Sequence, residues 1–227
     1  MNNAVIFAGG DLNFSPAVNP DDYVICADSG YRHAIDLRLQ PDLLIGDFDS
    51  IAEFSAALEQ NLDYMDLMVR KQGSEPKPEN DKTMEVVSFP EDKDETDTLL
   101  AVQYAIEHGY NKIQIFGALG GRFDHAFANI QTLLYAHEHG AEAEIVTERE
   151  IIAVQGACTK KHKKNGQHFS VFAVTGTAAV TLKDVKYPLE NAELRTGFPC
   201  GVSNEITGDE CEVTVHSGVV LIVNGPG

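Results

Sequence analysis

Three short apolar runs near the start of the chain, Val5-Ile6-Phe7-Ala8, Tyr23-Val24-Ile25-Cys26-Ala27 and Leu43-Leu44-Ile45, constrain the fold more than any other feature. Each is short, apolar and closed by glycine or aspartate, which is the pattern of a buried strand. The second runs into a helical stretch over residues 31–39. Strands alternating with helices predict an α/β architecture with a largely parallel sheet, here a Rossmann-like three-layer domain. In such sheets ligands gather beyond the carboxyl ends of the strands. Gly9-Gly10, Asp28-Ser29-Gly30 and Gly46-Asp47-Phe48-Asp49-Ser50 all fall on that edge.

The last of these segments carries the most chemistry. Two residues apart at a strand end, Asp47 and Asp49 point the same way, and two anions that close repel unless a cation or a proton separates them. Oxygen-only ligands favour magnesium, with manganese as the alternative, over zinc. The pattern alone is equally that of a polar turn with solvated aspartates. Gly9-Gly10 suits either a plain turn or a close backbone approach to phosphate, and Asp28-Ser29 either caps the following helix, contacts a ligand, or does both.

Residues 51–61 read as a helix, and the polar, proline-containing residues 70–81 as a surface excursion. Residues 84–89 resume strand character. Glu91-Asp92-Lys93-Asp94-Glu95-Thr96-Asp97 then stands before a helix over residues 98–108 that closes at Gly109. A capping role for Thr96 or Asp97 explains one or two of these acids; the density of the cluster at another strand end points to metal or substrate contacts. Residues 112–116 form a strand followed by Gly117-Ala118-Leu119-Gly120-Gly121-Arg122-Phe123-Asp124-His125, with a helix beyond that closes at Gly140. Glycines before a helix N-terminus, with the donor fork of Arg122, suit phosphate, and His125 reads as a surface residue at the helix start.

Helical patterns stop near Glu150. Residues 168–174, 179–182, 211–216 and 219–223 read as strands separated by glycine turns, predicting a small β-sandwich or barrel-like domain. This places one domain over 1–149 and a second over 150–227. Lys160-Lys161-His162-Lys163-Lys164 reads as a solvated hairpin tip, and residues 187–208 as a long functional loop.

With 17 Lys and Arg against 35 Asp and Glu, the formal charge of −18 disfavours nucleic acid and anionic membranes as partners. No segment approaches the length of a membrane span. Cys26, Cys158, Cys200 and Cys211 form no Cys-x-x-Cys pair, and reduced thiols predict a cytoplasmic protein.

Taken in order, Gly46-Asp47-Phe48-Asp49-Ser50, Lys93-Asp94-Glu95-Thr96-Asp97, Gly120-Gly121-Arg122-Phe123-Asp124-His125 and Val202-Ser203-Asn204-Glu205 resemble the thiamine pyrophosphokinase family over nearly the whole chain. The resemblance implies an N-terminal α/β domain for ATP and magnesium, a C-terminal β-sandwich, and a homodimer with thiamine bound where the subunits meet. It implies transfer of the pyrophosphoryl group of ATP to the thiamine hydroxyl, releasing AMP. On the matching motifs, Asp47, Asp49 and Asp97 are the implied metal ligands. Lys93, Thr96, Gly120, Gly121 and Arg122 on the motifs, together with Gly9, Gly10, Asp28 and Ser29 on the ligand-binding edge of the sheet, are the expected ATP contacts. Asp97, Arg122 and either Asp94 or Asp124 are the implied catalytic groups, the last two as alternative acceptors of the thiamine proton. Asp124, Ser203, Asn204 and Tyr187 are the implied thiamine contacts, Tyr187 standing where some relatives carry a tryptophan that this chain lacks. The rival expectations are a pyrophosphokinase with a pterin alcohol acceptor, a metal-dependent phosphatase, and a non-catalytic nucleotide sensor.

Overall fold

The apolar runs become strands because successive side chains enter two different cores. A computed structural model of the chain describes residues 3–47, 84–90, 92–164 and 168–225. In it β1 (Asn3–Phe7), β2 (Tyr23–Ala27) and β3 (Leu43–Gly46) are parallel neighbours. Ala4 and Ile6 of β1 enter one core and Val5 and Phe7 the other, all of them buried, as expected when both faces of a parallel sheet are covered. β4 (Glu85–Ser88) joins beyond β3, while β5 (Lys112–Phe116) and β6 (Glu142–Val146) extend the parallel pairing from the other side of β1. The chain thus leaves β1 in one direction and returns to it from the other, which places the ligand-binding crevice of such sheets beside β1 and β5.

Among the described residues, three α-helices pack on this sheet. α1 (Tyr31–Asp36) buries Tyr31 and Ala34 against Val5 and Phe7. α2 (Asp97–Glu107) and α3 (Phe123–Glu138) bury Ala101, Ala105, Leu133 and Ala136 on the opposite face. The hydroxyl of Thr96 accepts from the Leu99 N–H at 3.2 Å and caps α2. Neither Asp28 nor Ser29 caps α1: its N-cap is Gly30, and no side chain bonds the helix end there. The capping role expected of that pair is therefore absent, which leaves both side chains to the cleft.

β7 (Ile151–Gln155), β13 (Val220–Gly225) and β9 (His168–Ala173) complete a nine-stranded sheet in the order β4-β3-β2-β1-β5-β6-β7-β13-β9, the last three pairings antiparallel. β8 (Thr159–Lys163), β10 (Thr177–Lys183), β11 (Leu189–Arg195) and β12 (Glu210–Ser217) form a separate antiparallel sheet, ordered β11-β10-β12-β8. Val180, Leu182, Val213 and Val215 of this sheet share a core with Phe169, Val171, Val220 and Ile222 of the large one. Each such side chain contributes about 1.5–3 kcal/mol on burial. The mixed α/β architecture with a mostly parallel sheet and an antiparallel one matches the expectation. The large sheet, however, runs across residue 150 through the pairing of Glu144 with Ala153.

Two segments differ from their sequence reading. The basic run is no hairpin tip but lies in β8, paired along its length with β12. Within the supposed loop at residues 187–208 lies β11, paired with β10. Both are edge strands, and charged edge strands lack the apolar alternation that marks interior ones. The helix expected over residues 51–61, the polar excursion at 70–81 and Asp49 lie outside the described residues. Among the described residues, no helix is long and apolar enough to cross a membrane.

Candidate functional site

The carboxyl ends of β1, β2 and β3 and the N-termini of α2 and α3 enclose a cleft of about 580 Å³. Its walls include Gly9, Gly10, Asp28, Ser29, Asp47, Lys93, Asp94, Thr96, Asp97, Gly120, Gly121 and Arg122. One described cleft therefore holds every residue that the sequence assigns to nucleotide or metal, Asp49 being outside the description. Helix N-termini favour anions, so its shape and dipoles suit a polyphosphate.

At its floor, the Lys93 ammonium donates to Asp97 Oδ1 at 2.5 Å and to Asp47 Oδ2 at 3.3 Å. Only 10% of the lysine side chain is exposed. Burial pulls the Lys93 pKa down, but the hydrogen bonds and charges of Asp97 and Asp47 outweigh it and hold the ammonium above its ordinary value. For Asp97 burial dominates and raises the pKa; Lys93 opposes it, while the neighbouring anions Asp47 and Asp28 add to it. Three carboxylates thus feel one another across a lysine.

Asp28 is the strained member of the set. Its φ of 42° is left-handed for a residue that is not glycine, a conformation that costs roughly 1–3 kcal/mol and concentrates at functional sites. Its Oδ1 is buried with no hydrogen-bond partner. Gly46 makes room for it: a Cβ there would come within 3.1 Å of the Asp28 Cβ. A buried carboxylate oxygen without a donor, beside two further carboxylates, is a donor set for a hard divalent cation. Among the described residues, no three His, Cys, Asp or Glu side chains close on a single point as a finished metal site, and Lys93 now bridges two of the acids.

The glycine loops are fixed by contacts that the sequence does not reveal. The Gly10 N–H donates to Gly117 O and the Asp11 N–H to Leu119 O, both at 2.7 Å. The Gly10 carbonyl faces His33 Nε2 at 2.8 Å; since a carbonyl only accepts, this nitrogen carries the proton. A Cβ on Gly10 would lie 2.4 Å from the Leu119 carbonyl oxygen, so only glycine fits. Asn129, 6% exposed on α3, donates to Ala118 O at 2.7 Å and steadies the second loop. His33 and Asn129 escaped the sequence reading because each acts at long range; the only local signal is a polar residue on the buried side of a helix. His125 is exposed in the first turn of α3, as its sequence context suggests, and also lines the cleft.

Arg122 grips Asp124 in a fork, with Nε to Oδ1 at 3.1 Å and Nη2 to Oδ2 at 2.6 Å. The pair lies in the open, with the arginine side chain 74% and the aspartate 62% exposed. Its hydrogen bond holds the Asp124 carboxyl below, and the guanidinium above, the ordinary value. An exposed pair of this kind is easily exchanged for a phosphate.

Tyr187, Ser203 and Asn204 do not line this cleft. They form a second group on the antiparallel half. The Tyr187 side chain stands in solvent, 59% exposed. The Asn204 amide, only 6% exposed, engages its backbone: Oδ1 accepts from the Tyr187 and Glu205 N–H groups at 2.9 Å, and Nδ2 donates to Tyr187 O at 2.8 Å. Ser203 adopts a left-handed φ of 58°, with its N–H bonded to Ser170 Oγ at 3.0 Å.

Comparison with known proteins places the chain in a family. The sequence model of the thiamin pyrophosphokinase catalytic domain matches residues 14–145, and that of the thiamin pyrophosphokinase vitamin B1 binding domain matches residues 158–220. Thiamine pyrophosphokinase of Bacillus subtilis (strain 168) is 26% identical over 230 residues, 98% of either chain. The crystal structure of thiamin pyrophosphokinase from Geobacillus thermodenitrificans has 26% identity and a TM-score of 0.79, covering 100% of this chain and 98% of its own. That from Bacillus subtilis reaches a TM-score of 0.83 at 24% identity over 99% of each chain, a likeness of fold. Because the catalytic-domain match alone takes in more than half of the residues, the chain belongs to the thiamin pyrophosphokinase family.

Proposed function

We propose that the acidic cleft holds the phosphates and metal of the reaction, while the Tyr187 group presents thiamine to it. The reaction itself follows from the family: the pyrophosphoryl group of ATP passes to the hydroxyl of thiamine, giving thiamine diphosphate and AMP. Membership favours thiamine over a pterin acceptor, and transfer over hydrolysis. The observation that carries the assignment of residues is the Lys93 ammonium set between Asp47 and Asp97 beneath two glycine loops.

The unpartnered oxygen of Asp28 supports a divalent cation at this place. Asp47, Asp49 and Asp97 are its proposed ligands, with Asp28 beside them and magnesium, or else manganese, as the ion. Bound there, the ion gathers the negative charge of the polyphosphate. This chain's own residues do the rest. Lys93 and the backbone of Gly9, Gly10, Gly120 and Gly121 hold phosphate oxygens, while Thr96 fixes the N-terminus of α2 toward them. Arg122 releases Asp124 and offers its fork to the phosphates. Asp94 or Asp124 takes the hydroxyl proton as the thiamine oxygen attacks the β-phosphorus. The bond from that phosphorus to the bridging oxygen of the α-phosphate breaks, and AMP leaves with the bridging oxygen. Positioning and charge carry such transfers, with little covalent help from the protein.

Tyr187 and Ser203 contact thiamine, and Asn204 holds Tyr187 in place. Residues 1–149 form the catalytic part and 150–227 the thiamine-binding part, a division supported by the separate matches to 14–145 and 158–220. Phe123, Phe127, Phe198 and Val202 are large apolar side chains in the open, which supports a homodimer with thiamine at the interface. Four free cysteines support a cytoplasmic location. The test is Asp47→Asn: turnover should fall about 100-fold or more, with the melting temperature within a few degrees of the parent. Unimpaired turnover would remove Asp47 from the mechanism.

A further inference from the structure

An ion pair stands beside Tyr187. The Lys186 ammonium donates to Glu205 Oε1 at 2.7 Å. The backbone brings the two side by side: the segment between β10 and β11 runs antiparallel to residues 204–206, with a bridge from Val185 to Ile206 and the Lys186 N–H bonded to Glu205 O at 2.8 Å. The hydrogen bond from Lys186 holds the Glu205 carboxyl below its ordinary value, and the bond to Glu205 holds the Lys186 ammonium above its own. Both groups are therefore charged at neutral pH.

With side chains 47% and 42% exposed, a pair of this kind adds little to stability. A third side chain gives it a different use. The Lys186 Nζ stands over the Tyr187 ring, 5.6 Å from its centroid, inside the roughly 6 Å at which an aromatic face attracts a cation. Asn204 fixes the Tyr187 backbone only, and an exposed ring on a fixed backbone still flips between rotamers in picoseconds to nanoseconds. The ammonium on its face restrains the ring, and Glu205 restrains the ammonium. One face of Tyr187 is thereby taken, and a flat substrate has the other. Glu205 also cancels the lysine charge, so the ring stays open to thiamine, whose thiazolium is itself a cation.

We propose that Lys186 and Glu205 are positioning residues of the thiamine-binding group: Glu205 pins the Lys186 ammonium against one face of Tyr187, and this holds the ring in the orientation that receives thiamine on the other. The proposal rests on the assignment of Tyr187 to thiamine. It gives a role to the last residue of the Val202-Ser203-Asn204-Glu205 motif and adds a lysine that acts on substrate through the ring alone.

Steady-state kinetics and tryptophan anisotropy test it on the full chain. Lys186→Ala should raise the KM for thiamine about 2–5-fold, the scale of an exposed cation–π contact, with kcat and the KM for ATP unmoved; Glu205→Gln should do the same. Lys186→Arg should keep the parent value, since a guanidinium also stacks on an aromatic face and pairs with a carboxylate. With the ring removed in Tyr187→Leu, adding Lys186→Ala should change nothing further. The chain has no tryptophan of its own, so Tyr187→Trp places a single reporter at the ring, and its fluorescence anisotropy should fall when Lys186→Ala is added. A parent-like KM in Lys186→Ala, an equal loss from it with and without the ring, or an unchanged anisotropy would overturn the positioning role. A parent-like thiamine KM in Tyr187→Leu would instead sink the assignment of Tyr187 to thiamine, and the anisotropy would still decide whether Lys186 and Glu205 hold the ring.

Discussion

Asn204 separates two accounts of the thiamine-binding half. If its amide contacts substrate directly, Asn204→Ala should weaken thiamine binding and leave the fold intact. The structure predicts otherwise, because the amide bonds the Tyr187 N–H, the Tyr187 carbonyl and the Glu205 N–H at 2.8–2.9 Å. Three hydrogen bonds at about 1 kcal/mol each come to roughly 3 kcal/mol. The freed N–H groups sit beside a side chain that is 59% exposed, so water reaches them, and the loss belongs at about 2–3 kcal/mol rather than at the larger cost of orphaned buried donors. For a chain of this size, that lowers the melting temperature by roughly 4–12 °C. Thermal unfolding followed by circular dichroism reads it directly. Asn204→Asp, which keeps the acceptor for both N–H groups, should lose less. A melting temperature within 2 °C of the parent in Asn204→Ala, with a raised KM for thiamine, would refute the positioning role.

Two further perturbations test other parts of the molecule. Removing the bond to the Gly10 carbonyl with His33→Ala should raise the KM for ATP roughly 5-fold, about the worth of one hydrogen bond, and His33→Gln should restore part of it; an unchanged KM would show that the loop holds its shape without the histidine. His162 tests burial in the small sheet: burial, with a smaller effect of the Lys160 charge, pushes its pKa from 6.5 down to about 4, while its Nε2 bonds Gln155 Oε1 at 2.9 Å. The unfolded chain takes up this proton near 6.5 and the folded one only near 4, so acid favours unfolding. The contribution is complete above about pH 6.5 and is lost as pH falls toward 4, by at most about 3 kcal/mol. His162→Gln should flatten melting temperature against pH in that window, and an unchanged slope would contradict the assignment.

Much of this organisation is legible in the sequence because interior parallel strands and long helices are governed by local pattern. β1, β2, β3 and β5 appear as apolar runs, and α2 and α3 appear as spaced apolar residues closed by Gly109 and Gly140. The gathering of Asp47, Lys93 and Asp97 follows from strand ends sharing one edge of the sheet. What escapes the sequence is whatever depends on pairing partners distant along the chain. β8 and β11 lie at sheet edges, where charged residues are tolerated on both faces. The antiparallel extension of the large sheet depends on the tight turn after β6, which Thr147 closes with its own hydroxyl. The left-handed backbone of Asp28, the reach of His33 to Gly10 across 23 positions and the engagement of Asn204 with Tyr187 across 17 are tertiary facts. No local motif announces them.

The most direct test of the central claim is the product balance when the protein is incubated with thiamine, ATP and magnesium. The residues of the acidic cleft and the Tyr187 group predict AMP and thiamine diphosphate in equal amounts, with neither formed when thiamine is left out. ADP as the nucleotide product, or nucleotide turnover that does not need thiamine, would contradict the account.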